Sequence, residues 1–399
     1  MWKYLRFGYI HWAWFLVAIA GLLAGGWWTW SSVVFLFVVG VGGEIVTKNF
    51  RDESNPVYHH PIIHDLILYS AVIGHFVVTF VAVWVASDRD LLGFGQLVNS
   101  WLANIGIAHD VFAARAANTS FDLVGVGMSL GGVLGVSGIS AAHELTHRTA
   151  NPLDLWFGRW DFALSFGGNF ATEHVYGHHK RLGYVDVDPV TPKRGAGFYE
   201  FLTIGTWRQW SGGLGIEKRR LEAVGKHWMS SSNRVLQAWA RGALIVTLVY
   251  LGAGWRGVGV WFVAACFSKY ILEGLNFFSH YGLIRLPDAK VTTRNTFSSI
   301  NPLSNHFTFN LGRHGSHHEH DTPYYLFHYK DMPLSPYGYL TMTLVSWIPP
   351  LFWKLMIPML KEWDGKWATA EELKVIAEHN RQSGIAQLSG LRPGSPSLA

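Results

Sequence analysis

Long apolar stretches alternate with short polar segments along the first two thirds of the chain. A membrane-spanning helix needs about 20 consecutive, largely apolar residues. Six segments meet that requirement, namely 8–26, 28–46, 63–86, 122–142, 236–254 and 257–277. Nothing polar separates the first two, which predicts a tight hairpin around Gly25 and Gly26. The pattern therefore predicts an all-α integral membrane protein with six transmembrane helices.

Individual residues mark the ends and faces of these helices. Pro61 and Asp122 are predicted to begin the third and fourth spans, because both residue types favour the first turn of a helix. In the fourth span, Gly131 and Gly135 form a small-xxx-small face, which lets a neighbouring helix approach closely. We expect this face to serve packing.

The remaining third of the chain is less regular. Segment 336–360 is apolar but contains Pro349 and Pro350, which predicts an interfacial or re-entrant segment instead of a seventh span. Thr369 and Glu372 then form a capping box that opens a short polar helix. We predict a membrane-embedded domain over 1–365, followed by a polar helix and a disordered tail over 366–399.

Composition supports the membrane assignment and limits the chemistry. The 399 residues are 49% hydrophobic and 15% charged, whereas roughly a quarter of the residues in soluble domains are charged. The single cysteine excludes a disulfide framework, a multi-cysteine zinc site and a built-in rubredoxin-type iron site, which needs four thiolates.

Lysine and arginine are distributed unequally between the predicted loops. They are concentrated near the amino terminus, in 143–235 and after the last span, whereas segment 87–121 has only Arg89 and Arg115. Positively charged loops stay in the cytoplasm. The sequence predicts that both termini are cytoplasmic, in a bacterial inner membrane.

Nine of the 20 histidines fall into four clusters that this topology places at the cytoplasmic face. They are His143 and His147 in "HELTH"; His174, His178 and His179 in "EHVYGHH"; His280 in "NFFSHYGL"; and His314, His317 and His318 in "RHGSHH". Nine neutral imidazoles are too many for one ion but suit two ions with four or five nitrogen ligands each. The clusters predict a histidine-rich, metal-binding cap; because imidazole binds iron, zinc, copper and nickel, the metal stays open.

Helical spacing predicts which of these histidines act together. Residues three or four apart share a helix face. We therefore expect each multi-histidine cluster to direct two imidazoles to a common point: His143 with His147, His174 with His178, and His314 with His317 or His318. Adjacent histidines at the cluster ends can serve two neighbouring ions.

Further residues are expected around the metal. A ligating imidazole usually donates its other N–H to a carboxylate or carbonyl. Glu144, Glu173 and the acidic loop with Asp186 and Asp188 lie beside the clusters and could accept such hydrogen bonds. Asn276 and His306 precede the third and fourth clusters and are predicted to line the site.

The four motifs, in this order, resemble those of the alkane hydroxylase and xylene monooxygenase branch of the integral-membrane fatty acid desaturase–hydroxylase family. That branch carries HE[LM]xH[KR], EHxxGHH, NYxEHYGL and LQRHxDHH; here they read "HELTHR", "EHVYGHH", "NFFSHYGL" and "LGRHGSHH". The resemblance covers most of residues 1–365. Ser279 replaces a Glu of the alkane branch, Phe277 a Tyr, and Gly312 and Ser316 a Gln and an Asp.

The resemblance implies a non-haem di-iron monooxygenase. Two Fe ions, held by the nine histidines with no separate catalytic residue, would use O2 and two electrons to hydroxylate a terminal or benzylic methyl group of an alkane or alkyl-aromatic compound. Chemistry agrees, because an unactivated C–H bond offers a general base no acidic proton, whereas a redox metal can oxidise it.

The implied partners follow from the same resemblance. Without a cysteine motif of its own, the chain would receive electrons from a rubredoxin or ferredoxin and its NAD(P)H reductase. Basic segments 180–194 and 218–220 would suit an acidic donor, although membrane topology explains these charges equally well. No nucleic-acid partner is expected.

Three alternatives remain open from the residues alone. A lipid desaturase or decarboxylase of the same family would use the same motifs. An intramembrane zinc metalloprotease would use His143, Glu144 and His147 as an HExxH site, leaving the other six clustered histidines without a role. A metal transporter would place its ligands near the middle of the membrane, where only His75 lies.

Overall fold

The computed structural model describes residues 1–320 and 322–389, and these residues form helices and loops without a strand. An isolated β-bridge joins Ser298 and Leu334. The chain divides into two compact units. The first comprises 1–42, 58–168 and 236–270, and the second comprises 43–57, 169–235 and the chain from 271 onward. The predicted disordered tail at 390–399 lies outside the described residues.

The first unit contains the predicted spans one, three, four and five and most of the second and sixth. Its helices are Trp2–Leu5, Tyr9–Ala24, Gly26–Trp30, Ser31–Phe35, Leu36–Gly42, Ile62–Ala86, Leu91–Gly93, Phe94–Asn104, Val111–Ala116, Ser120–Val133, Leu134–Gly138, Ile139–His147, Pro152–Ala163 and residues 236–270 of Arg234–Ser279. Leu36–Gly42 and Leu134–Gly138 are π-helical.

The second unit consists mainly of short helices joined by loops. Its helices are Gly43–Val46, Phe170–Glu173, His174–His178, His179–Arg181, Phe198–Glu200, Phe201–Gly205, Thr206–Glu222, the two ends of Arg234–Ser279, Thr293–Asn295, Pro302–Phe307, His314–Glu319, Tyr324–Leu326, Tyr339–Ser346, Pro349–Lys366, Ala370–Gln382 and Ala386–Ser389. His174–His178 and Phe201–Gly205 are π-helical.

Within the described residues, four helices are long and apolar enough to cross a membrane. They are Gly26–Val46, Ile62–Ala86, Ser120–His147 and Arg234–Ser279. The predicted first span corresponds to Tyr9–Ala24, which has only 16 residues. The predicted fifth and sixth spans fall in one 46-residue helix, which loses helical geometry at Ala253 and Gly254. The chain is thus an integral membrane protein with four candidate spans, and the count of six stays a prediction.

The residues predicted to mark the start or the end of a helix lie at those positions. Gly25 and Gly26 have φ angles of +72° and +54° at the hairpin that follows Tyr9–Ala24. Such angles are costly for residues with a Cβ, so glycine is required here. Pro61 is the N-cap of Ile62–Ala86. Asp122 belongs to a capping box with Thr119, which starts the helix two residues earlier than predicted.

Two further predictions concern close packing and the carboxyl-terminal apolar segment. Gly131 allows the close helix approach predicted for the fourth span, and Gly127 takes part in it as well, because Cβ atoms on Gly127 and Gly131 would come within 2.8 Å of Val260 O and 2.7 Å of Ala264 O. Pro349 interrupts the apolar segment 336–360, because it begins the separate helix Pro349–Lys366, where its missing N–H has no cost.

Buried ion pairs tie the polar carboxyl-terminal helix into the second unit. The predicted capping box of Thr369 and Glu372 opens helix Ala370–Gln382. Glu372 accepts hydrogen bonds from Arg294 at 2.6 and 2.9 Å. The buried Arg194 donates to Asp364 and, at 2.8 Å, to Asn380. This helix therefore belongs to the packed interior of the unit.

Candidate metal centre

Three histidines of the second unit form a first group. The Nε2 atom of His179 lies 3.1 Å from Nε2 of His174 and 3.1 Å from Nε2 of His317. The segments that carry them are far apart in sequence, since His317 belongs to helix His314–Glu319. Three ring nitrogens from two motifs thus converge on one point.

The other four histidines of the motifs in this unit form a second group. Nε2 of His314 lies 3.1 Å from Nε2 of both His280 and His318. His178 completes the group, because it, His280 and His318 each offer a nitrogen within 4.8 Å of the others. The rings of His179 and His318, one from each group, have centroids only 4.2 Å apart. The two groups are therefore neighbours.

The grouping differs from the prediction within "EHVYGHH". Helical spacing of four predicts that His174 and His178 share a point, but His174 is paired with His179, and His178 belongs to the other group. Residues His174–His178 form a π-helix, in which hydrogen bonds join residues five apart. One extra residue per turn brings residues five apart onto one face. A single local change of helix type thus distributes this motif over both groups.

The nitrogen spacing fits metal coordination. Two imidazole nitrogens each about 2.1 Å from one ion are about 3.4 Å apart at the tetrahedral angle of structural zinc and about 3.0 Å apart at a right angle. The four shortest Nε2–Nε2 distances, each 3.1 Å, lie between these two values. Each of these pairs could therefore bind one ion.

Asp188 orients one of these imidazoles. Its carboxylate accepts a hydrogen bond of 2.8 Å from Nδ1 of His178, and both side chains are fully buried. With the proton on Nδ1, Nε2 carries the lone pair that a metal needs. Among the described residues this buried Nε2 atom has no hydrogen-bond partner. A metal ion bound at this point would satisfy the buried acceptor.

Burial also keeps two of the imidazoles neutral. Loss of solvation, with smaller contributions from neighbouring histidines, lowers the pKa of His280 and of His318 well below the usual range. Neutral imidazole is the form that binds a cation. Five of the seven side chains, those of His174, His178, His280, His314 and His317, are at most 3% exposed.

Glu173 is buried beside the first group. Its Oε1 accepts a hydrogen bond of 2.6 Å from Arg181. Burial, followed by the negative charge of Asp188, raises the pKa of Glu173 to about 7. The expected hydrogen bond to a histidine is thus formed by Asp188, whereas Glu173 holds Arg181.

His143 and His147 lie in the first unit, on the last helix of the Ser120–His147 span. Their ring centroids are 4.7 Å apart, so spacing of four does place both imidazoles on one face. Glu144 is directed to Arg148, whose Nε donates to it at 2.9 Å. The acidic residue of the HExxH pattern is therefore engaged in an ion pair.

The two predicted site-lining residues have different surroundings. The Asn276 amide donates to the buried Glu273 at 3.4 Å. His306 is half-buried in helix Pro302–Phe307 and belongs to neither histidine group. The predicted role of both residues at the metal stays a prediction.

Several supporting residues have only a faint signal in the sequence. Arg313 is 2% exposed and donates to the carbonyls of Asp52, Ser54 and Phe327, which fixes the start of the helix that carries His314. The buried carboxylate of Glu273 accepts two hydrogen bonds from Gln209 at 3.1 and 3.0 Å. A charge beside a histidine motif or inside an apolar run is the signal that indicates such residues.

Comparison with known proteins gives a consistent set of relatives. The chain is 30% identical to alkane 1-monooxygenase of Acinetobacter baylyi over 66% of each chain. It is 28% identical to alkane 1-monooxygenase 2 of Alcanivorax borkumensis over 86% of each chain. It is also 29% identical to the xylene/toluene monooxygenase hydroxylase component XylM of Pseudomonas putida, over 64% of this chain and 70% of XylM.

The family assignment rests on the part of the chain that contains the histidine motifs. The fatty acid desaturase family matches residues 121–356, more than half of the chain, and this segment includes all four histidine motifs. The predictions of a membrane enzyme and of this branch are confirmed by these matches. The chain belongs to the fatty acid desaturase family and is an oxygen-dependent oxidoreductase of its alkane hydroxylase and xylene monooxygenase branch.

Proposed function

We propose that the protein is a non-haem di-iron monooxygenase that hydroxylates a terminal or benzylic methyl group of a hydrophobic substrate. The observation that carries this proposal is the convergence of seven histidines into two adjacent groups with Nε2–Nε2 distances of 3.1 Å. Two adjacent nitrogen-rich sites suit a pair of iron ions. Bound iron would supply the redox chemistry that lets O2 attack an unactivated C–H bond.

The ligands divide between the two ions by group. His174, His179 and His317 would hold one ion, and the match of "HELTHR" to the family pattern adds His143 and His147 as its further ligands. The second ion would be held by His178, His280, His314 and His318. This assignment uses all nine predicted histidines, with five nitrogens on one ion and four on the other.

The surrounding residues keep the ligands in the required state. Asp188 holds the Nδ1 proton of His178, which leaves Nε2 available as a donor atom. Burial of the second group excludes water and keeps His280 and His318 neutral. In a site of this kind the protein orients ligands and substrate, and no general base is needed for attack on the C–H bond.

The substrate is proposed to be an alkane or an alkyl-aromatic compound, since the names of the relatives include both alkane 1-monooxygenases and a xylene/toluene monooxygenase. Ser279 stands where the alkane branch has Glu. Its hydroxyl donates to the backbone carbonyl of Leu275 at 2.8 Å and is buried. This position thus contributes no negative charge, which favours testing both substrate classes.

A separate rubredoxin or ferredoxin is proposed as the electron donor. Arg181, Arg208 and Arg219 line a groove of about 250 Å³ in the second unit. Arg219 is exposed, whereas Arg181 is partly neutralised by Glu173. Arg220, part of the predicted basic segment, is paired with Glu217 at 2.7 Å. The positive surface that could attract an acidic donor is thus narrower than the sequence suggests.

The proposed topology completes this function. Six spans, with both termini on the cytoplasmic side of a bacterial inner membrane, would leave the histidine-rich cap open to a soluble donor. Cysteine-substitution labelling in intact cells tests this topology. Labelling of an introduced cysteine in segment 143–235 by an impermeant reagent added from outside the membrane would contradict it.

The first experiment is to measure metal content and the iron spectrum of the purified, detergent-solubilised protein. We expect about two irons per chain, and turnover of octane or toluene with O2 and a reduced rubredoxin or ferredoxin. One zinc per chain without iron would contradict the proposal and favour the HExxH hydrolase.

A second candidate has a specific observation in its favour, because the family that matches residues 121–356 is that of the fatty acid desaturases. Desaturation and hydroxylation begin at the same kind of C–H bond but differ in product. Mass spectrometry of the product from a long-chain substrate distinguishes them: an added oxygen supports the monooxygenase, and the loss of two hydrogens supports the desaturase.

A further inference from the structure

A buried hydrogen-bonded chain joins three helices of the first unit. Nδ1 of His75 lies 2.9 and 3.0 Å from the two carboxylate oxygens of Asp161, and Nε2 lies 2.7 Å from the hydroxyl of Ser137. An ionised Asp161 only accepts hydrogen bonds, so Nδ1 donates to it and Nε2 accepts from Ser137. We call this chain the Ser137 bridge.

The Ser137 bridge has the composition of a hydrolase triad but not its accessibility. Ser137 and His75 are 0% exposed, and Asp161 is 3% exposed. A nucleophile must reach its substrate, and these side chains reach no surface. Their role is therefore to hold helices together.

A second polar cluster lies near the end of the same helices. Arg148 forms ion pairs with Asp65 and Glu144, and its Nη1 lies 3.5 Å from Asp154. The hydroxyl of Tyr69 donates to Asp154. We call this cluster the Arg148 bridge. One guanidinium thus connects carboxylates from three helical segments.

Both bridges connect the same three helices. Helix Ile62–Ala86 contributes Asp65 to one and His75 to the other; helix Pro152–Ala163 contributes Asp154 and Asp161. The third helix is Ser120–His147, where Ser137 precedes the "HELTH" histidines and Arg148 directly follows them. At about 1.5 Å per residue, the contacts are about 15 Å apart on Ile62–Ala86 and about 16 Å apart on the helix of the histidines.

The position of Ser137 adds to the argument. It lies in the π-helical segment Leu134–Gly138, which contains an extra residue in its turn. A shift of this segment by one residue would rotate every following side chain, including His143 and His147, by about 100°. Apolar contacts distinguish poorly between such registers, whereas a buried hydrogen bond is satisfied in only one.

We propose that the Ser137 and Arg148 bridges are positioning devices that set the rotation and axial position of His143 and His147. Two contacts on either side of the histidine pair determine both quantities, which one contact could not do. The residues of the bridges act through the ligands and do not touch the metal. This inference rests on the proposed function, in which the two histidines bind iron.

The test compares two serines of the same helix. Ser137→Ala removes the hydroxyl of the Ser137 bridge. Ser129→Ala removes a hydroxyl that donates to Thr29 O at 2.6 Å, and Ser129 lies further from the histidines along the helix than Ser137 does. Ser129 is 1% exposed, so both variants lose one buried hydrogen bond. We expect a similar loss of thermal stability in both, but an altered iron spectrum and at least about twofold weaker iron retention against a chelator only in Ser137→Ala. Equal spectra and retention in the two variants would overturn the proposal.

A conservative series at Arg148 tests the other bridge. Lysine keeps the charge but cannot span several carboxylates as a guanidinium does. We expect iron retention to fall in the order Arg148, Arg148→Lys, Arg148→Gln, with the iron spectrum changing in the same order. Arg115→Lys is the matched control, because Arg115 donates to the carbonyls of Trp84 and Arg89. We expect this variant to retain iron as the parent protein does. Parental spectra in both Arg148 variants would contradict the role of this bridge.

The parent protein separates this inference from the proposed function. A parent chain that binds no iron would contradict the proposed function itself. A parent chain with two irons, together with parental behaviour of Ser137→Ala and both Arg148 variants, would contradict the positioning role alone.

Discussion

The two histidine-bearing regions of the chain place their histidines by different means. His143 and His147 stand on a long apolar helix whose neighbours it meets through two polar bridges. Most of the seven clustered histidines of the second unit stand on short helices, and two of them have a supporting contact nearby. Asp188 accepts a hydrogen bond from His178, and Arg313 anchors the start of the helix that carries His314. The long helix spaces its histidines by its own regular geometry, whereas the short helices rely on contacts made next to particular histidines.

The largest effect is expected from a histidine of the cap. His179 lies 3.1 Å from two other ring nitrogens and 4.2 Å from the His318 ring of the second group. We expect His179→Ala to abolish turnover and to reduce the amount of bound iron below about one per chain. The reason is that an ion that has lost one ligand exchanges with solvent more easily. Iron per chain and product formation measure this.

His306→Ala is the matched control for His179→Ala, because His306 lies outside both groups. It should keep about two irons per chain. The same experiment with His143→Ala compares the two regions, and we expect loss of activity and of iron there as well. Normal hydroxylation by His143→Ala would remove the first motif from the metal centre.

A smaller effect is expected from the support of one cap ligand. Asp188→Asn keeps a hydrogen-bond acceptor for His178 but removes its charge, which should weaken iron retention about tenfold. Asp186→Asn is the control, because Asp186 lies on the same loop and pairs with the exposed Lys193 at the surface. Chelator competition measures both, and equal retention would mean that the hydrogen bond to Asp188 does not support the ligand.

A still smaller effect concerns the surface of the cap. Charge reversal at Arg208 and Arg219, which line the basic groove, should raise KM for the reduced donor about fivefold and weaken its salt dependence, since long-range attraction mainly changes association. The control is Lys226→Glu, at an exposed residue outside the groove. A KM unchanged in the double variant would place donor docking elsewhere.

The contrast between the regions also explains what the sequence could predict. The pairing of His143 with His147 follows from regular spacing, and the structure has it. The predicted pairing of His174 with His178 was wrong, because these residues form a π-helix, in which residues five apart, and not four, share a face. No simple sequence pattern indicates a π-helix. The hairpin at Gly25 and Gly26, the helix starts at Pro61 and Asp122, and the capping box of Thr369 and Glu372 could be predicted, since their effects are local.

Long-range partners were not readable in the same way. Arg313 contacts Asp52 and Ser54, more than 250 residues earlier in the chain, and periodicity carries no information on such distances. Likewise His75 has no neighbouring histidine in its helix, and only the fold brings Asp161 and Ser137 to it. Residues that support ligands are recognised by burial and contact, whereas the ligands themselves are recognised by motif.

The smallest effect is expected at Glu144, the acid of the HExxH pattern, and it distinguishes two chemistries. In a zinc hydrolase this residue is the general base, and its loss would remove most activity. Here its carboxylate accepts from Arg148 at 2.9 Å, and Glu144→Gln keeps an oxygen in that place while Arg148 retains Asp65 and Asp154. We therefore expect iron content within about twofold of the parent, because a neutral amide still accepts a charge-assisted hydrogen bond. Iron per chain and hydroxylation rate, measured together, test this. A variant that keeps its iron but loses all turnover would give Glu144 a direct part in the reaction, and the ion pair with Arg148 would then be one state of a residue that moves.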